Sequence, residues 1–441
     1  MPSKIFDLIE AEKQRQKNGL EMIPSENYVS EDVLKALGSI LTDKYSEGYP
    51  GRRYYAGNRL IDEIEIEAQK LANKIFGTIY ANVQPYSGSP ANFAVDLALA
   101  GPGGTVLGLD LPSGGHLTHG TKVSFSGVFF NAVNYHVDKD GRVDFTEAEK
   151  LAQEHKPKLI WVGGTAYVYR YEFKKFAKIA QSCGAFLAAD ISHVAGLIAG
   201  GSHPSPTPYV DVITTTTHKT LRGPRGAVIL ITPKGFKKDS EITKRIDQAV
   251  FPGLQGGPHN HQTAAIAVAF QEVLKPSFKK YASQVVKNSK ILAQELMAGD
   301  IKLVGNGTEN HLMLIDLTSL GYGLGYQAQV ALETAGITVN KQSLPFSDEK
   351  GKNTSPFYPS GIRLGTPALT SRGMKEKEMI KIAGWIKQAL GEVKGHDLPK
   401  EKTSRAEFIQ SYKREALKNK NLLRIKKEVE EFAKKFPAPG F

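Results

Sequence analysis

A series of short apolar segments, each bounded by Gly, Pro or Asp, dominates the middle of the chain. The segments are residues 105–110, 158–162, 185–190, 211–215 and 227–232. Runs of this length and composition are typical of buried strands. Between two of them, residues 173–181 place Phe176, Ile179 and Ala180 at helical spacing. This alternation predicts an α/β fold with a mostly parallel central sheet covered by helices.

The pattern changes after Pro258. Long helical periodicity at 261–274 and 278–297 is followed by a short strand pattern at 312–316. A chain of 441 residues is long enough for more than one domain. We therefore predict an N-terminal arm at 1–60, a large domain at 61–270 and a smaller α+β domain at 271–441.

Two ionisable residues follow the predicted strands. Asp190 closes one apolar segment, and Lys219 comes after the threonine run at 214–217, just beyond another. Ligands of open α/β sheets bind at the carboxyl ends of strands. A lysine amine can bond to the aldehyde of pyridoxal phosphate, and a carboxylate keeps the ring nitrogen protonated. The pair therefore indicates such a site, although each residue alone is more simply a surface or strand-end charge.

Further residues match the other needs of this cofactor. Ser87 and Gly88 open a helical pattern, where backbone N–H groups and the positive end of the helix dipole bind a phosphate. A serine can also cap a helix without any ligand. His116 is preceded by two glycines that allow a close approach to a flat ring, and His193, three residues after Asp190, could reach the ring hydroxyl. His218, beside Lys219, offers another hydrogen-bonding group.

Arg363 is a candidate for substrate binding. It follows a polar loop at a short strand pattern. Its planar fork can bind a carboxylate through two hydrogen bonds, and every amino-acid substrate presents a carboxylate. The alternative is an ordinary surface arginine.

Metal binding is a weaker interpretation of the histidine pairs. His116 with His119, and His259 with His261, have spacings that could bind a metal. However, the chain has a single cysteine and no carboxylate at ligand spacing beside them. We expect no metal.

The net charge of +12 is compatible with a nucleic-acid partner, but equally with anionic small molecules. The densest basic stretch, residues 413–435, has apolar residues at helical spacing and is predicted to be one solvated amphipathic helix. No apolar run reaches the roughly 18 residues of a membrane span, and the first residues lack the apolar core of a signal peptide. We expect a cytoplasmic protein that binds neither nucleic acid nor membrane.

Seven segments that run nearly from end to end of the chain lie at residues 23–27, 44–55, 82–85, 114–120, 214–226, 251–258 and 361–373. Together they resemble the serine hydroxymethyltransferase family, whose members have the aspartate-aminotransferase-like fold, pyridoxal-phosphate fold type I. The resemblance implies a homodimer with shared active sites, with serine, glycine and tetrahydrofolate as small-molecule substrates.

The resemblance also implies roles for individual residues. Lys219 would bond to the cofactor, Asp190 would contact its ring nitrogen, and His193 would contact the ring hydroxyl. His116 would stack on the ring, while Ser87, Gly88 and, from the second subunit, Gly257 would hold the phosphate. The remaining implied cofactor contacts are Tyr45, Thr165, Thr216 and His218.

Substrate contacts are implied in the same way. Ser25 and Arg363 would bind the amino-acid carboxylate, and Glu47 would manage a proton on the serine hydroxyl or the folate. Tyr45, Tyr55 and Glu47 would reach across the dimer. The residues implied to contact folate are Tyr54, Leu111, Gly115, Leu117 and Gln342, the last replacing an asparagine common in the family.

We therefore expect reversible conversion of L-serine and tetrahydrofolate to glycine and 5,10-methylenetetrahydrofolate. The nearest alternative is a folate-independent aldolase or transaldolase on threonine-like amino acids, which Gln342 favours slightly. A non-catalytic RNA-binding protein would explain the basic charge but leave Lys219, Asp190 and Arg363 without a purpose.

Overall fold

The structure is a computed structural model that describes residues 3–345 and 357–440. Its described residues form two compact units. We call Val29–Ser283 the sheet unit, and the described residues of Met1–Tyr28 and Gln284–Phe441 the terminal unit. These limits differ from the predicted boundaries at residues 60 and 270. The use of residues 1–60 as an arm in a dimer stays a prediction.

The strands have the following bounds. In chain order they are β1 (Leu20–Glu21), β2 (Gly48–Tyr49), β3 (Arg52–Arg53), β4 (Tyr80–Asn82), β5 (Thr105–Leu109), β6 (Asn131–Tyr135), β7 (Leu159–Gly163), β8 (Phe186–Asp190), β9 (Val212–Thr216), β10 (Ala227–Ile231), β11 (Lys302–Leu303), β12 (Leu312–Asp316), β13 (Ile337–Thr338), β14 (Asn340–Gln342) and β15 (Gly361–Gly365). The predicted strands of the central segments agree with β5 and β7–β10 to within one residue at each end.

The helices have the following bounds. In chain order they are α1 (Lys4–Asn18), α2 (Glu31–Leu37), α3 (Arg59–Phe76), α4 (Gly88–Leu99), α5 (Phe125–Phe129), α6 (Phe145–His155), α7 (Phe173–Cys183), α8 (Ala195–Ala199), α9 (Pro233–Lys238), α10 (Ile242–Val250), α11 (Asn260–Val273), α12 (Pro276–Met297), α13 (Gly325–Thr334), α14 (Pro367–Ser371), α15 (Glu376–Gly391), α16 (Arg405–Ala416) and α17 (Lys420–Ala433). Short 3-10 helices lie at Ile40–Asp43, Leu117–His119, Val304–Asn306 and Lys402–Ser404.

The sheet unit contains a seven-stranded sheet in the order β4-β10-β9-β8-β7-β5-β6. Within this sheet β10 alone runs opposite to the other six strands, so the predicted mostly parallel sheet is confirmed. Strand β7 is buried at all five positions, as expected for a strand covered on both faces. Helix α7 buries Phe173, Phe176, Ile179 and Ala180. Gly184 follows its last residue as the C-cap, with a φ of 76°, a left-handed conformation that glycine adopts without strain.

The terminal unit contains an antiparallel sheet in the order β11-β12-β15-β14. A separate parallel pair joins β1 to β13, with Leu20 opposite Ile337. Arg372 ties the beginning of the chain to its end, because its guanidinium donates to the carbonyls of Lys17 and Gly19 and to those of Ala433 and Phe436. These contacts place the first residues in this unit.

One secondary-structure prediction is wrong. Residues 413–435 were expected to form a single helix, but α16 ends at Ala416 and α17 begins at Lys420. The side chain of Asn419 caps α17 by accepting hydrogen bonds from the N–H groups of Asn421 and Leu422. An asparagine at this position starts a new helix rather than continuing the old one. The predicted apolar stripe of α17 is buried.

Candidate active site

Asp190 is the last residue of β8 and is 8% exposed. Its two carboxylate oxygens accept hydrogen bonds from different side chains. Asn92 of α4 donates at 2.9 Å to Oδ2, and the Ser192 hydroxyl donates at 2.6 Å to Oδ1. Burial alone would raise the pKa of Asp190, but the neighbouring His119 ring and the Ser192 hydroxyl hold that pKa well below its usual range. Asp190 is therefore a buried carboxylate that keeps its negative charge.

His119, whose spacing in the sequence indicated only a metal ligand, lies beside Asp190. Its Nε2 lies 3.3 Å from Oδ2 of Asp190, and its ring stacks on Trp161 with centroids 5.4 Å apart. The indole of Trp161 in turn donates a 2.7 Å hydrogen bond to the buried Asp96. His119 thus faces the carboxylate from a fixed position. The only signal in the sequence was its three-residue spacing from His116.

His116, His119 and Asp190 together form a cluster with one potential metal-ligand atom each. These atoms lie within 4.8 Å of one another. Both oxygens of Asp190 already accept hydrogen bonds from neutral donors, so the carboxylate is held without a cation. The absence of a metal stays a prediction.

Lys219 lies three residues beyond the end of β9 and is partly buried. Its Nζ donates a 2.8 Å hydrogen bond to the hydroxyl of Thr216, the last residue of that strand. The pKa of the adjacent His218 is lowered to about 3, first by burial and then by the positive charges of Lys219 and Arg225. His218 is therefore neutral beside a lysine that remains accessible to solvent at the carboxyl edge of the sheet.

His116 lies at the same edge, just before the 3-10 helix Leu117–His119. Its Nδ1 is 2.7 Å from the hydroxyl of Thr118. Burial lowers the pKa of His116 to about 4, and the nearby His119 and Lys219 contribute to this shift. The imidazole is therefore neutral near pH 7.

The lowered pKa of His116 predicts how stability changes with pH. In the unfolded chain this histidine takes up a proton near 6.5, whereas in the folded chain it does so only near 4. Stability is therefore retained above 6.5 and lost as the pH falls towards 4. Between about pH 7 and about pH 5, we expect the free energy of unfolding to fall by roughly 2 kcal/mol less in His116→Asn than in the parent chain. Urea titrations at the two pH values measure this, and equal losses would contradict it.

The predicted phosphate end of the site is formed by Ser87 and α4. Ser87 occupies the N-cap position of α4, yet its side chain makes no capping hydrogen bond. In contrast, Ser30 and Asp144 cap their helices with side-chain oxygens. A Cβ atom on Gly88 would lie 2.7 Å from the Thr216 methyl group, so a larger residue does not fit there. A hydroxyl not used by the helix and a close backbone are what a phosphate needs at a helix N-terminus.

Other predicted contacts border this edge of the sheet. The Thr165 hydroxyl donates a 2.8 Å hydrogen bond to the carbonyl of Gly115. A Cβ on Gly115 would lie 2.0 Å from the Leu109 carbonyl, which requires glycine there. The His193 carbonyl accepts a hydrogen bond from Thr220, so the segments after β8 and β9 are joined. Leu111 is partly buried, whereas Leu117 is 46% exposed.

A second group of predicted site residues lies on the surface of the sheet unit. Tyr45 is 53% exposed, packs edge-on against Tyr55 and donates a 3.3 Å hydrogen bond to Glu47. A Cβ on Gly257 would lie 3.1 Å from the Tyr45 ring, so these residues are neighbours. Tyr54 is 77% exposed and contacts the ring of Phe251. The structure thus brings Tyr45, Glu47, Tyr55 and Gly257 into one exposed aromatic and acidic cluster.

Three predicted substrate contacts belong to the terminal unit. Arg363 lies in the middle of β15, is 8% exposed, and donates a 3.1 Å hydrogen bond from Nε to Asn340 of β14. Burial lowers its pKa to about 10, so the guanidinium remains charged. Gln342 ends β14 opposite Gly361. Ser25 is partly buried and lies beyond β1. Of the segment Pro345 to Pro359 that follows Gln342, residues 346–356 lie outside the described residues.

The carboxyl ends of the strands in this mostly parallel sheet carry a lysine, a buried anionic carboxylate and a helix N-terminus without a side-chain cap. These features define a pyridoxal-phosphate enzyme of the α/β class. Asp190, Lys219 and Ser87 fit the ring nitrogen, the aldehyde and the phosphate of that cofactor, respectively. The model of the family "Serine hydroxymethyltransferase" matches residues 1–386. The chain belongs to this family. The predicted family and its fold class are thereby confirmed.

Three relatives named serine hydroxymethyltransferase match almost the whole chain. The protein of Acidothermus cellulolyticus is 51% identical over 437 residues, which cover 99% of this chain and 95% of the relative. That of Desulfotalea psychrophila is 50% identical over 437 residues, with 99% and 94% covered. That of Sorangium cellulosum is 49% identical over 438 residues, with 99% and 95% covered.

Proposed function

We propose that the chain converts L-serine and tetrahydrofolate reversibly to glycine and 5,10-methylenetetrahydrofolate, with pyridoxal phosphate as its cofactor. The observation that carries this proposal is the buried, anionic Asp190 at the same sheet edge as Lys219, in a chain of the serine hydroxymethyltransferase family. The RNA-binding alternative is not favoured, because it gives these residues no purpose.

The protein residues have separate tasks in this reaction. When bound, pyridoxal phosphate withdraws electrons from the α-carbon of the amino acid. Asp190 would hold a negative charge for the ring nitrogen, and the Lys219 amine, hydrogen-bonded to Thr216, would hold the cofactor through its aldehyde and be the group that the substrate amine displaces. Neutral His116 offers a flat ring without competing charge. Arg363 supplies a charged fork for the substrate carboxylate.

Transfer of the serine hydroxymethyl carbon tests the proposal directly. Serine labelled at its β-carbon should pass the label to tetrahydrofolate, and omission of the folate should slow serine cleavage strongly. The control is the same assay with threonine, whose cleavage without folate should remain a side reaction. Rapid cleavage of threonine-like amino acids, together with serine cleavage that ignores tetrahydrofolate, would replace this function by the aldolase.

The native assembly is proposed to be a homodimer with shared sites. Support comes from the exposed cluster of Tyr45, Glu47, Tyr55 and Gly257, since large exposed aromatic residues at one place are typical of an interface. No described helix has the length and apolar character needed to cross a membrane. Cytoplasmic location stays a prediction.

Mixing two inactive variants should restore activity if the sites are shared. In a heterodimer of Lys219→Ala and Glu47→Ala chains, one of the two sites receives an intact Lys219 and an intact Glu47 from different subunits. We therefore expect up to roughly half of the parental activity per heterodimer. Tagged heterodimers purified by two affinity steps provide the sample, and each variant homodimer is the control. No recovery in verified heterodimers would show that each chain completes its own site.

Gln342 is predicted to support folate binding despite its extra methylene group. It keeps the donor and acceptor of asparagine but sets them further from the backbone. We expect Gln342→Asn to change the KM for tetrahydrofolate by less than about tenfold, the equivalent of one hydrogen bond. Steady-state assays with varied folate measure this, and Gln410→Asn at an exposed position of α16 serves as the control. Loss of folate dependence in Gln342→Asn would contradict the prediction.

A further inference from the structure

Tyr86 connects the predicted phosphate-binding turn to a distant part of the sequence. It immediately precedes Ser87, and its hydroxyl donates a 2.7 Å hydrogen bond to the carbonyl of Gly257. Its ring stacks on His259 with centroids 4.0 Å apart and an interplanar angle of 4°. The side chain is therefore fixed at both its tip and its face.

The backbone of Tyr86 is fixed by the same distant segment. Its N–H donates to Gln255 at 3.0 Å, and its carbonyl accepts from Gln262 at 3.0 Å. Gln255 also donates to the carbonyl of Gln84 at 2.9 Å. Residues 84–86 and 255–262 are thus joined by hydrogen bonds that leave little freedom for the next residue, Ser87.

The position of Ser87 and Gly88 matters because a helix N-terminus binds a phosphate only when its N–H groups converge on one point. Gly88 already packs against Thr216 at a distance that excludes a side chain. Tyr86 fixes the opposite end of this turn. Gly257, which accepts its hydroxyl hydrogen, also packs against Tyr45 of the exposed cluster.

We propose that Tyr86 is a positioning residue for the cofactor phosphate, which it controls by holding the Ser87-Gly88 turn against residues 255–262. The inference rests on the proposed function for the identity of the ligand. Through Gly257 the same contact links the phosphate turn to the surface where a second copy would bind.

Tyr86→Phe tests this, because it removes the hydroxyl and keeps the ring on His259. We expect the dissociation constant for pyridoxal phosphate to rise by roughly fivefold or more, the effect of one hydrogen bond. The constant for pyridoxal, which lacks the phosphate, should change by less than about twofold. Release of cofactor from the holoenzyme and the phosphorus NMR shift of the bound phosphate give independent readouts.

The matched control is Tyr169→Phe, which removes a hydroxyl that donates 2.6 Å to the Asp140 carbonyl elsewhere in the sheet unit. His259→Ala removes the stacking partner of Tyr86 and should likewise weaken the binding of pyridoxal phosphate more than the binding of pyridoxal. The inference would be overturned if the variants bound both ligands equally more weakly, or if neither variant bound pyridoxal phosphate more weakly than the parent chain. If the parent chain itself failed to bind pyridoxal phosphate, the proposed function would fail instead, so the two failures are distinguishable.

Discussion

Replacing Lys219 by alanine is expected to reduce turnover by roughly a thousandfold or more, because it removes the amine that would hold the cofactor aldehyde. Lys219→Arg should be equally inactive. Its guanidinium keeps the positive charge but does not lose a proton, so it cannot attack a carbonyl. Turnover of labelled serine and the absorbance of the purified protein measure the two consequences, which are lost transfer and altered cofactor attachment.

We expect Lys219→Ala to fold normally, because Lys219 lies beyond the strand and is only partly buried. Lys175→Ala, which removes an exposed lysine paired with Glu172, is the matched control and should retain full activity. The circular dichroism spectrum and the thermal midpoint of Lys219→Ala should be close to those of the parent chain. Parental turnover in Lys219→Ala would show that the cofactor is bonded elsewhere.

Arg363→Ala should raise the KM for serine much more than it changes cofactor binding. The loss of a charge-assisted, two-point contact with a carboxylate costs about 2 to 4 kcal/mol, which corresponds to roughly a thirty- to thousandfold rise. Arg363→Lys keeps a charge but not the planar fork, so it should recover only part of the affinity. Serine titrations at saturating cofactor measure the change.

The control for this variant addresses the buried environment of Arg363. Asn340→Ala removes its partner on β14 and should raise the KM less, since the guanidinium itself remains. A normal serine titration in Arg363→Ala would remove this residue from the substrate site. A parallel loss of pyridoxal-phosphate affinity would contradict a role of Arg363 that is limited to the substrate carboxylate.

The strands and Asp190 could be predicted because each depends on local sequence. An apolar run bounded by Gly or Asp determines a buried strand, and the residue that follows lies at the sheet edge whatever its partners are. Ser87 and Gly88 were predictable for the same reason, since a helix start is a local pattern. The division of residues 413–435 into two helices was also local, but the capping role of Asn419 was not recognised.

His119, Asn92 and Tyr86 could not be assigned from sequence alone. Asn92 contacts Asp190 across 98 positions, and Tyr86 contacts Gly257 across 171. Such pairs depend on which strands become neighbours, and periodicity within a segment carries no information about that. His119 was visible as part of a histidine pair, but its partner in the structure is the carboxylate of Asp190 at the end of β8.

The pairing of β1 with β13 has a consequence for the order in which the protein acquires its shape during translation. Leu20 emerges from the ribosome long before its partner Ile337, whereas every strand of the seven-stranded sheet lies between residues 80 and 231. Domains generally fold as units during synthesis. The sheet unit can therefore fold before the carboxyl-terminal residues are synthesised. During that time Leu20 and Met22, which are buried in the folded protein, remain exposed on the nascent chain. In that interval the nascent chain carries an unsatisfied apolar segment, and chaperone binding to it is expected to be transient and to end with release of the full-length polypeptide.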